Sequence, residues 1–147
     1  MVSRFERFSF AISEIHRYWH KIAADVMESR GLKGPYAVYF TALYRYPEGV
    51  TSAQLAELCS RDKSDVSRAI SLMEKQKLVT KEGSTYRALL KLTDEGKALA
   101  EFINEKAGLA VELGGRGLSD ENREVFYQTL ELIVSNLEAI SQEGLPR

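Results

Sequence analysis

The sequence predicts a mainly α chain of 147 residues, interrupted once by a short β-hairpin. Three observations predict it. Apolar residues recur at alternating steps of three and four near both chain ends, which is helical spacing. Capping residues stand in front of most of those runs. One stretch alone, residues 78–92, offers two β-prone runs on either side of a Gly83-Ser84 turn signal.

The elements follow in order. Phe5, Phe8, Ile12, Ile15, Trp19, Ile22 and Val26 form a 3.5-residue repeat over three heptads, the seam of a helix that packs beside other helices. Gly31 stops this helix, and Gly34-Pro35 opens the next, which ends before Pro47. Thr51 and Gln54 make a capping box for a short third helix, with Leu55, Leu58 and Cys59 on one face. Asp62 caps a fourth, with Asp65 in its first turn. Its apolar stripe is Val66, Ala69, Ile70 and Met73, flanked by Leu72, and its opposite face carries Lys63, Ser64, Ser67, Arg68 and Ser71. The hairpin strands are Leu78-Val79-Thr80 and Ala88 to Leu92. Thr93 caps a fifth helix through Leu99, Phe102, Ile103, Leu109 and Leu113, which the Gly-Gly-Arg-Gly run at 114–117 breaks. Ser119 caps a sixth, with Phe126, Leu130, Ile133, Leu137 and Ile140 in the 3-4 rhythm.

Two short capped helices, a hairpin and a new helix start make a winged helix-turn-helix. That arrangement sets one exposed helix where it enters a DNA major groove, with a hairpin beside it for the backbone. The small hydroxyls and two cations on the open face of the fourth helix suit close approach to phosphates and base edges.

The stretch SDVSRAISLMEKQKLV at residues 64–79, followed by Leu92-Thr93-Asp94-Glu95-Gly96, resembles the MarR family of bacterial transcriptional regulators. The resemblance covers most of the chain. It implies a homodimeric, mainly α regulator in which a winged helix-turn-helix lobe with a two-stranded β-wing (about 35–92) is joined to a dimerisation lobe of N- and C-terminal helices (about 3–30 and 94–142). Such a protein is usually a repressor, often released by a small ligand. Two departures are visible. Lys77 stands where the family usually has Gly, at a left-handed turn. The wing is short, and the position of the family's minor-groove Arg falls on Tyr86, which sets Arg87 one place on and on the opposite hairpin face.

Composition and charge agree with this reading. Hydrophobic residues at 44% and charged residues at 28% are ordinary globular values. A single cysteine excludes an internal disulfide, and no apolar run approaches membrane-spanning length. No signal-peptide pattern opens the chain, so a cytoplasmic location is expected. The net charge of −1 hides an uneven distribution. Residues 49–92 hold eight basic and five acidic side chains, whereas residues 93–147 hold five and eleven. The local field at a contact surface decides binding, so the basic excess on the winged helix is the relevant quantity.

The expected partners are double-stranded DNA bearing an inverted repeat and a second copy of the chain. Ser64, Ser67 and Arg68 are the candidates for base edges. Arg61, Lys63, Lys81, Thr85 and Arg87 are the candidates for phosphates, with Thr51 and Gln54 adding backbone contacts. Tyr36, Tyr39 and Phe40, within an aromatic-rich pair of helices, are the candidates for a pocket holding a small aromatic or phenolic effector; packing is the competing explanation. His16 and His20 stand four apart but lack further ligands in sequence, so no metal or cofactor is expected. Cys59 lies on an apolar face and reads as a buried thiol, not a redox sensor. No nucleophile triad, Cys-His pair or phosphate loop supports catalysis. The rival function is a winged helix that grips protein and never touches DNA, against which the open face lacks large apolar anchors.

Overall fold

The computed structural model describes residues 1–83 and 87–147. Its elements are α1 (Arg4–Glu28), a single 3-10 turn (Gly34–Tyr36), α2 (Ala37–Arg45), α3 (Ser52–Cys59), α4 (Lys63–Lys75), β1 (Val79–Glu82), β2 (Leu89–Leu92), α5 (Asp94–Gly114) and α6 (Asp120–Glu143). Met1–Ala110 and Val111–Arg147 form two compact units.

Local chemistry starts most helices of the first unit. A capping box opens α1, with the Ser3 hydroxyl accepting from the Glu6 N–H and the Glu6 carboxylate accepting from the Ser3 N–H. Thr51 and Gln54 repeat the device at α3, with distances of 2.9 and 3.2 Å. The core is built where α2, α3, α4 and the hairpin meet. Phe40, Leu43, Leu55, Val66, Met73 and Leu90 have no more than 1% of their surface exposed. Two hydrogen bonds tie α2 to α5: Tyr44 donates to Glu101 and Thr41 to Asn104, each across 3.2 Å.

The hairpin is antiparallel, with Val79 opposite Leu92 and Glu82 opposite Leu89. Leu90 also exchanges two backbone hydrogen bonds with Val50, at 2.7 and 3.2 Å, which pins the root of the wing to the segment before α3.

Some sequence expectations shift. Leu58 does not share the buried face of α3: it is 47% exposed, while Ala56 takes the inward position beside Leu55 and Cys59. The helix is only eight residues long, and two turns give room for one narrow stripe. The first strand begins at Val79, not Leu78, because the Leu78 N–H is used in closing α4, where it donates to Met73. The second helix begins with a 3-10 turn at Gly34–Tyr36 before it becomes α-helical. Lys77 does adopt the left-handed conformation, with φ +61°.

Most of α1 is exposed. Met27 is its only buried residue among those described, and Phe5, Phe8, Ile12, Ile15, Trp19 and Ile22 are each between 41% and 77% exposed. In the second unit Ser119 caps α6 by accepting from the Asn122 N–H. No described residue of α6 is buried; Phe126 and Leu137 are 45% and 49% exposed.

Candidate nucleic-acid interface

The orientation of α4 follows from its stripe. Val66, Ala69, Ile70 and Met73 are all buried, so Lys63, Ser64, Ser67, Arg68 and Ser71 must point away from the core, and all five are exposed. Asp62 accepts from the Asp65 N–H at 2.7 Å and from the Ser64 hydroxyl at 2.8 Å. Those two bonds, the backbone one first, hold the Asp62 carboxyl below its ordinary value. The Ser64 proton is therefore committed to the cap, and the oxygen's lone pairs are what Ser64 presents to a partner.

Next to this face lies a cleft of about 330 Å³. Ser52 and Ala53 at the start of α3, Lys63 and Ser67 of α4, and Lys81 of β1 form its walls, with Ile70 among them. A helix start carries partial positive charge and unsatisfied N–H groups. Two lysines and a serine hydroxyl beside it make a setting for a phosphate oxygen. Lys81 also pairs with Glu74 at 3.3 Å, with both side chains well exposed, so its charge is shared between that carboxylate and any anion in the cleft.

The fold thus brings Lys63, Ser67 and Lys81 to one cleft, and Ser64 and Arg68 to the adjoining face of α4. Thr51 and Gln54 sit at the start of α3 with their side chains engaged in the capping box. Arg61 is half-buried, near enough to Tyr39 and Cys59 for its charge to oppose the upward shifts of both groups. Arg87 is exposed. Thr85, a phosphate candidate, and Tyr86, the aligned wing position, lie outside the described residues.

Sequence reasoning missed Ser52 and Ala53 as cleft walls, and it missed the partner of Asp65. The Tyr39 hydroxyl donates to Asp65 Oδ2 across 26 residues of sequence. No local spacing rule reaches that far. The same finding relocates the aromatic candidates. Tyr39 and Phe40 are fully buried and Tyr36 is 8% exposed, so all three belong to the core.

An apolar cavity of this unit lies elsewhere. It measures about 230 Å³ and is lined by Trp19, Ile22 and Val26 of α1, Val38 and Thr41 of α2, and Ile103 of α5, among others. None of Tyr36, Tyr39 and Phe40 lines it. Cys59 is buried, its thiol pushed up by that burial, and its sulfur is 3.8 Å from the Val38 carbonyl. The His16 and His20 rings are 4.1 Å apart and exposed. Among the described residues, no group of three or more His, Cys, Asp or Glu is placed to hold a metal, and no helix is long and apolar enough to cross a membrane.

Comparison with known proteins agrees with this geometry. A MarR family model matches residues 30–86, from the end of α1 to the wing. No curated protein matches the chain in sequence. Among solved structures, a MarR transcriptional regulator from Methanosarcina mazei is 23% identical, with a TM-score of 0.83 over 95% of this chain and 94% of its own. A MarR family regulator from Silicibacter pomeroyi is 19% identical, with a TM-score of 0.76 over 87% and 88%. MepR, a transcription regulator of the Staphylococcus aureus multidrug efflux pump MepA, is 21% identical, with a TM-score of 0.69 over 88% and 98%. MarR-family proteins are DNA-binding transcription regulators and not enzymes. Residues 30–86 thus match the model of the MarR family, and the chain has the fold that these regulators share.

Proposed function

We propose that this regulator is a cytoplasmic homodimeric repressor that reads an inverted repeat in double-stranded DNA and responds to a small aromatic effector. The observation that carries the reading is the outward face of α4, with the Lys63, Ser67 and Lys81 cleft beside it. One helix enters the major groove in each half-site, and two-fold symmetry sets the half-site centres ~10 base pairs apart. The base-edge candidates are Ser64, Ser67 and Arg68. The cleft and Arg61 contact phosphates, and Arg87 does so from the wing. The absence of large apolar side chains among Ser64, Ser67, Arg68 and Ser71 counts against a protein-gripping role for this face.

Dimerisation is supported by the open stripe of α1 and, separately, by that of α6. Six large apolar residues along one helix face are a surface that a water-exposed helix does not keep uncovered without cost. A second copy supplies matching stripes by symmetry. The effector reading rests on the cavity bounded by α1, α2 and α5. It exceeds the ~150 Å³ that accommodates one aromatic ring in a dry apolar cavity, and its six residues named above include no charged side chain. That lining favours a neutral ring over a carboxylate.

The test is selection of bound sequences from random duplexes at two salt concentrations. An enriched inverted repeat is expected, with affinity falling steeply with salt. If each subunit neutralises ~4 phosphates, the logarithmic slope is about −7 for the dimer. A pool without enrichment, or a flat salt response, rejects sequence-specific DNA binding.

A further inference from the structure

We infer that the buried hydroxyl of Tyr39 sets the base preference of α4 by fixing Asp65 and, through it, the guanidinium of Arg68. The inference rests on the reading of α4 as the DNA-recognition helix. The Tyr39 ring is wholly inside the core, 6.0 Å from that of Tyr36. Its hydroxyl reaches the first turn of α4 and donates to Asp65 Oδ2. The second oxygen, Oδ1, lies 3.8 Å from Arg68 Nη2. One carboxylate therefore joins a group held by the core to a guanidinium that is 66% exposed.

The geometry has a direct consequence for Arg68. Asp62 already accepts from the Asp65 backbone N–H, so the main chain at position 65 is held. The bond from Tyr39 then holds the side chain, and Oδ1 faces the side of α4 where Arg68 stands. An unheld arginine samples many rotamers and loses that freedom on binding. A tether near its head narrows them, and the carboxylate repels phosphate on that side. Both effects bias the fork away from the backbone and toward a base edge, where guanine O6 and N7 accept two hydrogen bonds. Arg61, on the loop before α4, is a cation near the Tyr39 hydroxyl. Tyr39 is thus a positioning residue.

The experiment compares the wild-type chain with Tyr39→Phe, Asp65→Asn and Arg68→Ala. Each is used to select from random duplexes, and each is titrated with one unrelated duplex at the same salt. Thermal unfolding of Tyr39→Phe, which keeps the ring, shows whether the fold survives. All three variants are expected to lose discrimination at the same base position, Tyr39→Phe by about three- to tenfold, as the loss of one hydrogen bond implies. Affinity for the unrelated duplex stays within about twofold, and Tyr39→Phe adds nothing in an Arg68→Ala background. A purely structural role would instead weaken all sequences equally. If Arg68→Ala loses a base preference that Tyr39→Phe retains, the inference is overturned while the reading of α4 stands. If Arg68→Ala itself retains every preference, Arg68 reads no base, and both fall.

Discussion

The hydroxyl of Thr93 donates to the Lys77 carbonyl across 2.8 Å and accepts from the Gly96 N–H at 3.0 Å. One side chain thereby closes the turn after α4 and opens α5. The Thr93 N–H adds a third link, donating to Leu78 at 3.0 Å. The exit of α4 and the entry of α5 are a single hydrogen-bonded joint.

Removing that hydroxyl should loosen both ends of the joint. Thr93→Val keeps the volume and loses the cap and the bond to Lys77. A destabilisation of ~1–2 kcal/mol is expected, read as a lower urea midpoint with an unchanged slope.

Lys77 itself invites the opposite change. Its φ of +61° is left-handed, where a side chain is strained. Lys77→Gly should stabilise the fold by ~0.5–1 kcal/mol, the relief exceeding glycine's added freedom when unfolded. Equilibrium unfolding measures this directly. A loss of stability would show that the lysine makes a compensating contact.

Gly96 allows no side chain for a different reason. A Cβ there would stand 2.0 Å from the Leu78 carbonyl oxygen, which already accepts from Thr93. Gly96→Ala should therefore force the joint apart and cost ~2–3 kcal/mol or more. Proteolysis near residue 78 should accelerate in parallel.

Asp62 links stability to acid. Its carboxyl is held below its unfolded value of 3.8 by the Asp65 N–H and the Ser64 hydroxyl. The contribution of the cap is complete above that value and is lost as pH falls through the lower folded one. Asp62→Asn keeps an acceptor without a titrating charge. Its stability should vary less with pH than the wild type's below about pH 4, in urea titrations between pH 2 and 5.

Arg68→Ala should weaken specific binding by ~1–3 kcal/mol and relax preference at one base position. Competition titrations with matched and mismatched duplexes separate this from a uniform phosphate effect.

What the sequence made legible was mostly local. The caps at Thr51, Asp62, Thr93 and Ser119 each act on an N–H three residues away, so their partners are written beside them. The stripe of α4 was legible because thirteen residues sample 3.6-residue periodicity more than three times. Leu58 was not, since eight residues of α3 leave periodicity ambiguous. Tyr36, Tyr39 and Phe40 carried a correct hydrophobic signal, since all three are buried, but an aromatic-rich stretch cannot say whether a cavity or a neighbouring helix awaits an inward ring. The bond from Tyr39 to Asp65 exists only once α2 and α4 are packed together.

If the exposed stripe of α1 pairs two protomers as proposed, abundance itself becomes a control variable. When two protomers must meet before an operator is filled, occupancy at low concentration rises as the square of their number, not in proportion to it. Halving synthesis then cuts occupancy about fourfold, a sharpness that no change in the DNA-facing residues would supply.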